Sequence, residues 1–168
     1  CVTPSGAAGE TIVEISFNGL DFYFTSQSYD FYPQPTIKSL WPSMGQGFVG
    51  TTVVTVYGSN FRESMELACI FDSTEVRAAF VSNSSIVCLA PQHPNGIVSV
   101  HTTVNGVDIA EGTLNFSYVP EARVLGIMPS RGLISGQLLA FISGSNFINT
   151  TALKCKFETV QTQATFID

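Results

Sequence analysis

"VYGSNF" at residues 56–61 returns as "ISGSNF" at residues 142–147, each time closing an apolar run. A catalytic motif is rarely written twice in a chain of 168 residues, whereas a structural repeat is. Outward from this stretch, Cys1-Val2-Thr3-Pro4 matches Cys88-Leu89-Ala90-Pro91 at an offset of 87. The same offset pairs Asn18-Gly19 with Asn105-Gly106, and Pro42, Ser43 and Gly45 with Pro129, Ser130 and Gly132. One residue then drops out and the offset becomes 86. Gly58-Ser59-Asn60-Phe61 falls on Gly144-Ser145-Asn146-Phe147, Cys69 on Cys155, Phe71 on Phe157 and Phe80 on Phe166. The repeat is about 87 residues long.

Inside the repeat the pattern is β. "TTVVTVYG" (51–58) is rich in β-branched residues and ends in Gly. "LACIF" (67–71), "AAFVS" (78–82), "SIVCLAP" (85–91) and "VSVHTTVNG" (98–106) are short runs bounded by turn residues. Asn-Gly occurs at 18–19, 95–96 and 105–106, and tolerates the positive φ of tight hairpins. No long stretch has helical periodicity. Seven short strands per repeat predict an all-β chain of tandem immunoglobulin-like sandwiches, one complete and two partial.

The order of these elements resembles the IPT/TIG domain family. The resemblance covers 36–119 and both flanking pieces. It is carried by Pro42, Ser43 and Gly45, the strand start Gly50-Thr51-Thr52, the strand exit Gly58-Ser59-Asn60-Phe61, the Ala90-Pro91 pair and the Asn105-Gly106 turn. It implies a seven-strand sandwich with no catalytic centre of its own. Members of the family form rods in cell-surface receptors such as plexins, surface proteins, spacers in polysaccharide-degrading enzymes, and parts of some transcription factors.

Cys69 and Cys88 lie 19 positions apart in one repeat. The residues alone leave two readings open. One is a structural disulfide, contributing about 3 kcal/mol through loop entropy. The other is two buried thiols. Surface members of the family carry a similar pair, so the resemblance implies the disulfide. Three sequons, at Asn83, Asn115 and Asn149, also suit an exported, N-glycosylated chain at the cell surface or outside the cell. Asn83 and Asn149 fall in Ser/Thr-rich loops. Asn115 alternates with Leu114 and Phe116, so its side chain is expected to face solvent.

Residues 1–33 correspond to 88–120. The expected organisation is therefore 1–34 as the last strands of one domain, 35–120 as a complete domain, and 121–168 as the first strands of another. Neither fraction is expected to bury enough apolar surface alone. The chain starts at Cys1 without Met or a signal-like stretch, so it is expected to be a processed or excised piece. Head to tail, the fractions make one domain lacking only the counterparts of 83–87. Cys155 and Cys1 then take the places of Cys69 and Cys88, and in such a composite domain they are expected to form the same disulfide, now between copies. Two explanations compete. Successive repeats of one longer polypeptide complete each domain, or separate copies complement one another by strand addition. The linkers "FYPQP" (31–35) and "YVPEA" (118–122) are short and stiffened by Pro, which suits a rod.

Apolar residues form 45% of the chain and charged residues 12%, which excludes a disordered tail. Net charge is -6, and the seven Lys and Arg are scattered, which argues against nucleic acid. No apolar run approaches the roughly 18 residues of a membrane span. His93 and His101 have no His or Cys at metal-ligand spacing, and no cofactor, metal or catalytic residue is expected. Asp21 and Asp108 recur beside the Asn-Gly turns, where a polar contact in the hairpin explains them better than calcium. The segment 17–32 holds seven aromatics. Phe22, Tyr23, Phe24, Tyr29 and Phe31 are read either as core filling or as a contact surface. Trp41, beside the first linker, is expected at a junction between domains. The leading functional expectation is a structural or adhesive unit of an extracellular filament or rod. The alternatives are a spacer in a receptor ectodomain and an accessory module of a glycan-active enzyme.

Overall fold

The structure is a computed structural model that describes residues 1–48 and 52–167. Gly50 and Thr51 of the expected strand start, and Asp168, lie outside the described residues. The chain divides into two compact units, Cys1–Tyr118 and Val119–Asp168. Among the described residues every regular element is a strand, and no helix is long and apolar enough to cross a membrane.

The first unit opens with an antiparallel hairpin, β1 (Gly9–Ser16) and β2 (Phe22–Phe31). A sandwich follows: β3 (Thr36–Trp41), β4 (Met44–Gln46), β5 (Val53–Ser59), β6 (Ala68–Phe71), β7 (Thr74–Ser82), β8 (Ser85–Leu89), β9 (Gly96–Thr103) and β10 (Leu114–Val119). Hydrogen bonding runs in the order β3-β5-β8-β7-β6-β9-β10-β4. β7 belongs to both layers: Thr74 to Arg77 pair with β6, and Ala78 to Ser82 pair with β8.

Alternation places the core. Val54 and Val56 on β5 point in while Val53 and Tyr57 stay exposed. Ile86 and Cys88 on β8 face Phe71, Val98, Val100 and Phe116 of the other layer in one buried cluster. Phe71 and Phe116 meet edge to face at 5.6 Å, a favoured arrangement of ring quadrupoles.

Eight strands form where the repeat pattern predicts seven, because Pro42 divides the first. Proline has no N–H for the β3–β5 ladder, so that pairing stops at Trp41. The chain then crosses to the other layer, where the Ser117 N–H donates to the Ser43 carbonyl at 2.9 Å.

The second unit holds two separate ladders. β11 (Arg123–Met128) pairs with β12 (Phe141–Ser145), and β13 (Lys154–Phe157) with β14 (Val160–Gln163). Their registers repeat those of the complete sandwich. Arg123 faces Ser145 as Thr36 faces Ser59, and the bulge at Val124/Gly126 repeats the one at Ile37/Ser39. Lys154 faces Gln163 as Ala68 faces Arg77.

The Gly-Ser-Asn-Phe stretch behaves alike in both units. Asn60 and Asn146 take left-handed backbone at φ 61° and 62°. A Cβ on Gly58 would collide with the Thr36 carbonyl oxygen, and one on Gly144 with that of Arg123, so the ladder passes only where no side chain exists. Phe61 is buried in the core.

Candidate interaction surface

The β1–β2 hairpin repeats the β9–β10 hairpin residue for residue. Gly9 faces Phe31 as Gly96 faces Tyr118, and Thr11 faces Tyr29 as Val98 faces Phe116. The closing turns match too. The Asn18 amide donates to Asp21 at 2.7 Å and the Asn105 amide to Asp108 at 2.8 Å. Asn18 Oδ1 accepts from the Leu20 and Asp21 N–H groups, and Asn105 Oδ1 from those of Val107 and Asp108. These carboxylates act within the turn, as the sequence suggested.

What differs is cover. Thr102 and Val104 are buried (0% and 4% exposed), whereas their counterparts Ile15 and Phe17 are 53% and 86% exposed. Tyr23 and Tyr29 are exposed where Ala110 and Phe116 are buried, and Phe31 is half-buried where Tyr118 is buried. Phe17 leans on Tyr23 at 5.8 Å, and Tyr29 on Phe31 at 4.9 Å. Phe22 and Phe24 pair with Ser16 and Glu14 on the opposite face of the hairpin, also exposed. The aromatic segment is thus divided. Tyr23, Tyr29 and Phe31 stand at core positions, and Phe22 and Phe24 on the outer face. Trp41 is exposed on β3.

The second unit shows the same lack of cover. Val124 is 66% exposed where its counterpart Ile37 is 6% exposed. Phe157 is exposed where its counterpart Phe71 is buried, and Ile127 is exposed where Leu40 packs against the core. Each unit therefore presents side chains at core positions of the repeat to solvent.

The cysteines follow the repeat. Cys69 and Cys88 are joined as a disulfide with Cα atoms 6.3 Å apart, linking the two layers inside the core. Cys1 and Cys155 are free, the first exposed and the second half-buried. Asn83 lies in the β7–β8 turn, Asn149 in a loop after β12, and Asn115 points outward from β10; all three are exposed.

Linkers and their polar neighbours were only partly legible in the sequence. The Asn60 amide donates to the Gln34 carbonyl at 3.0 Å, and the Asn146 amide to the Glu121 carbonyl at 2.8 Å. Each Gly-Ser-Asn-Phe stretch therefore holds the linker that leads into its own first strand. Arg62 goes unnoticed in the sequence. It forms an ion pair with Asp30 and lies over the Tyr32 ring at 5.1 Å. The repeat carries no signal for it, because its counterpart is Ile148 and its partner is far away in sequence. Burial, then the Asp108 charge, holds the Tyr32 hydroxyl above its usual range, with Arg62 pulling the other way. Burial pushes the Tyr118 hydroxyl up to about 12. His93 stacks on Tyr118 at 4.8 Å and its Nδ1 lies 2.7 Å from the Pro94 carbonyl oxygen, a packing role. Among the described residues no group of three His, Cys, Asp or Glu is placed to hold a metal.

Comparison with known proteins gives this geometry a setting. The sequence pattern of the IPT/TIG domain matches residues 35–118. The chain is 25% identical over 161 residues to Fibrocystin-L of Mus musculus, covering 94% of this chain and 4% of that protein. It is 31% identical over 135 residues to Plexin-A2 of Homo sapiens, covering 78% of this chain and 7% of that protein. The solved full extracellular region of Plexin A4, domains 1 to 10, superposes with a TM-score of 0.54 at 24% identity, covering 83% of this chain and 12% of that one. The chain thus spans less than a tenth of the curated relatives it matches.

Proposed function

The chain belongs to the IPT/TIG domain family, and from that premise we propose that it is a non-catalytic rod segment of an extracellular or cell-surface protein. Its TIG domains follow one another in tandem and set the distance between whatever lies at either end. The observation that carries this reading is the paired linker contact. Asn60 holds the carbonyl of Gln34, and Asn146 that of Glu121, so both linkers are tied to the domain they enter. Asn60 and Arg62 tie the first linker to the hairpin before it and the sandwich after it, which suits a spacer better than a flexible tether. The likeness to the extracellular region of Plexin A4 supports an outside location and a receptor spacer. A structural or adhesive unit, with head and tail fractions completed by further TIG strands, is the finer form of the same reading. The exposed core-type residues in both units support it.

In this reading Asn83, Asn115 and Asn149 carry N-linked glycans and the Cys69–Cys88 bridge is closed in the oxidising secretory route. Expressed behind a secretion signal in a eukaryotic host, the chain is expected in the medium with these asparagines occupied by peptide mapping. An intracellular, unglycosylated product with Cys69 and Cys88 reduced would overturn the proposal.

A further inference from the structure

We infer that the glycan on Asn83 lies back on the outer face of the β3-β5-β8-β7 layer, with its first N-acetylglucosamine against the Tyr57 ring. The inference rests on the exported, glycosylated reading above and names the surface that one of those glycans covers. Alternation along the strands sets out this face. On β5, Val54 and Val56 are buried, so Val53, Thr55 and Tyr57 point outward. On β8, Ile86 and Cys88 are buried, so Ser85, Val87 and Leu89 point outward. Register adds Trp41 opposite Thr55, Ser39 opposite Tyr57, Ala79 opposite Val87 and Ser82 opposite Ser85. None of these side chains is charged, and Trp41, Val53, Tyr57 and Leu89 are exposed.

The β7–β8 turn brings Asn83 to the Tyr57 end of this face. The Gly58 N–H donates to the Ser84 carbonyl at 3.0 Å, and the Phe61 N–H to the Asn83 carbonyl at 3.0 Å. The turn is therefore pinned by its backbone to the strand exit that carries Tyr57. Ser85, the third residue of the sequon, stands directly opposite Tyr57. Ser39, Ser85 and Ser82 share the row with Tyr57, so no bulky side chain stands between its ring and a sugar rooted at Asn83. Trp41 sits diagonally from Tyr57, at roughly 7–8 Å by ladder geometry, and continues the platform toward the second sugar.

The chemistry of the face suits a sugar. A pyranose ring carries a side of axial C–H groups, and set on an aromatic ring this side meets the negative face of the quadrupole while both lose water. The tethered glycan is favoured over a separate protein partner because its root is fixed two residues from Ser85. That tether gives the sugar a high effective concentration at Tyr57. Asn115 has no Tyr or Trp beside it on β9: it stands opposite Ser99, with Ile97 and His101 as diagonal neighbours. The repeat adds a contrast. The counterpart of Tyr57 in the second Gly-Ser-Asn-Phe stretch is Ser143, so the strand itself does not require a ring at this position.

The test uses the full chain secreted with high-mannose glycans, with occupancy at each sequon read by peptide mapping. The parent, Asn83→Gln, Tyr57→Ser and the pair form a double-mutant cycle. Asn83→Gln is expected to lower the melting temperature of the sandwich by about 4 °C, the shift an aromatic contact of ordinary strength gives a domain of this size. In the Tyr57→Ser background the same change is expected to do nothing, whereas Tyr57→Phe should keep the parent's response. Trimming with endoglycosidase H down to the first sugar should leave the stabilisation in place. In proton NMR that sugar should show ring-current shifts that vanish in Tyr57→Ser. Equal effects of Asn83→Gln with and without Tyr57, or sugar resonances unmoved by Tyr57→Ser, would overturn the inference and leave the exported, glycosylated reading standing. So would an empty Asn83 beside occupied Asn115 and Asn149. Empty sequons throughout, with Cys69 and Cys88 reduced, would overturn that reading and the inference with it.

Discussion

A single asparagine shows how a repeated motif serves the fold. Asn60 takes left-handed backbone, which asparagine tolerates better than most residues. From there its amide reaches the Gln34 carbonyl, while Phe61 drops into the core. Gly58 precedes it because any Cβ would strike the Thr36 carbonyl. Gly58→Ala is expected to cost about 2 kcal/mol through forced displacement of β3. Asn60→Gly keeps the backbone and loses only the linker bond, so it should cost about 1 kcal/mol. Urea unfolding of the two variants separates these contributions, and equal losses would contradict the division. The repeat of the motif was plain in the sequence. Its reach to Gln34 was not, since a bond across 26 residues leaves no periodic trace.

Elements were legible to the extent that their pairing is local. Hairpins such as β1–β2, β6–β7 and β13–β14 join neighbours in sequence, and alternation with turn residues announces them. The division of the first strand at Pro42 and the double membership of β7 were hidden, because which layer a strand joins depends on the far side of the sandwich. Arg62 belongs to this scale as well. It joins the loop after β5 to Asp30 on β2 and the Tyr32 ring. Both charged groups are well solvated, so Arg62→Ala should change global stability by less than about 1 kcal/mol. It should nonetheless speed amide exchange across residues 31–35, where Tyr32 loses its cover. Hydrogen exchange with mass readout checks this, and unchanged protection in the linker would mean that Asn60 and the prolines hold it alone.

At the scale of the whole molecule, one sandwich has a buried core, while the β1–β2 hairpin and the second unit leave core positions of the repeat exposed. The disulfide belongs to the covered core. Replacing both Cys69 and Cys88 by Ala should cost that sandwich about 3 kcal/mol, with exchange in β11–β14 unchanged, because the bridge constrains only its own unit. Calorimetry with exchange mapping tests this, and a loss spread evenly over both units would show one cooperative body. By itself, the amino-acid sequence determined the period, the strand class, the outward face of Asn115 and the positions of the four cysteines. Each of these follows from spacing along one chain, and spacing is written in residues. Only the tertiary structure decided which core-type side chains find cover. Ile15 and Thr102 hold the same place in the repeat, yet one is exposed and the other buried. Burial depends on the sheet opposite, and in the complete sandwich that sheet comes from residues distant in sequence.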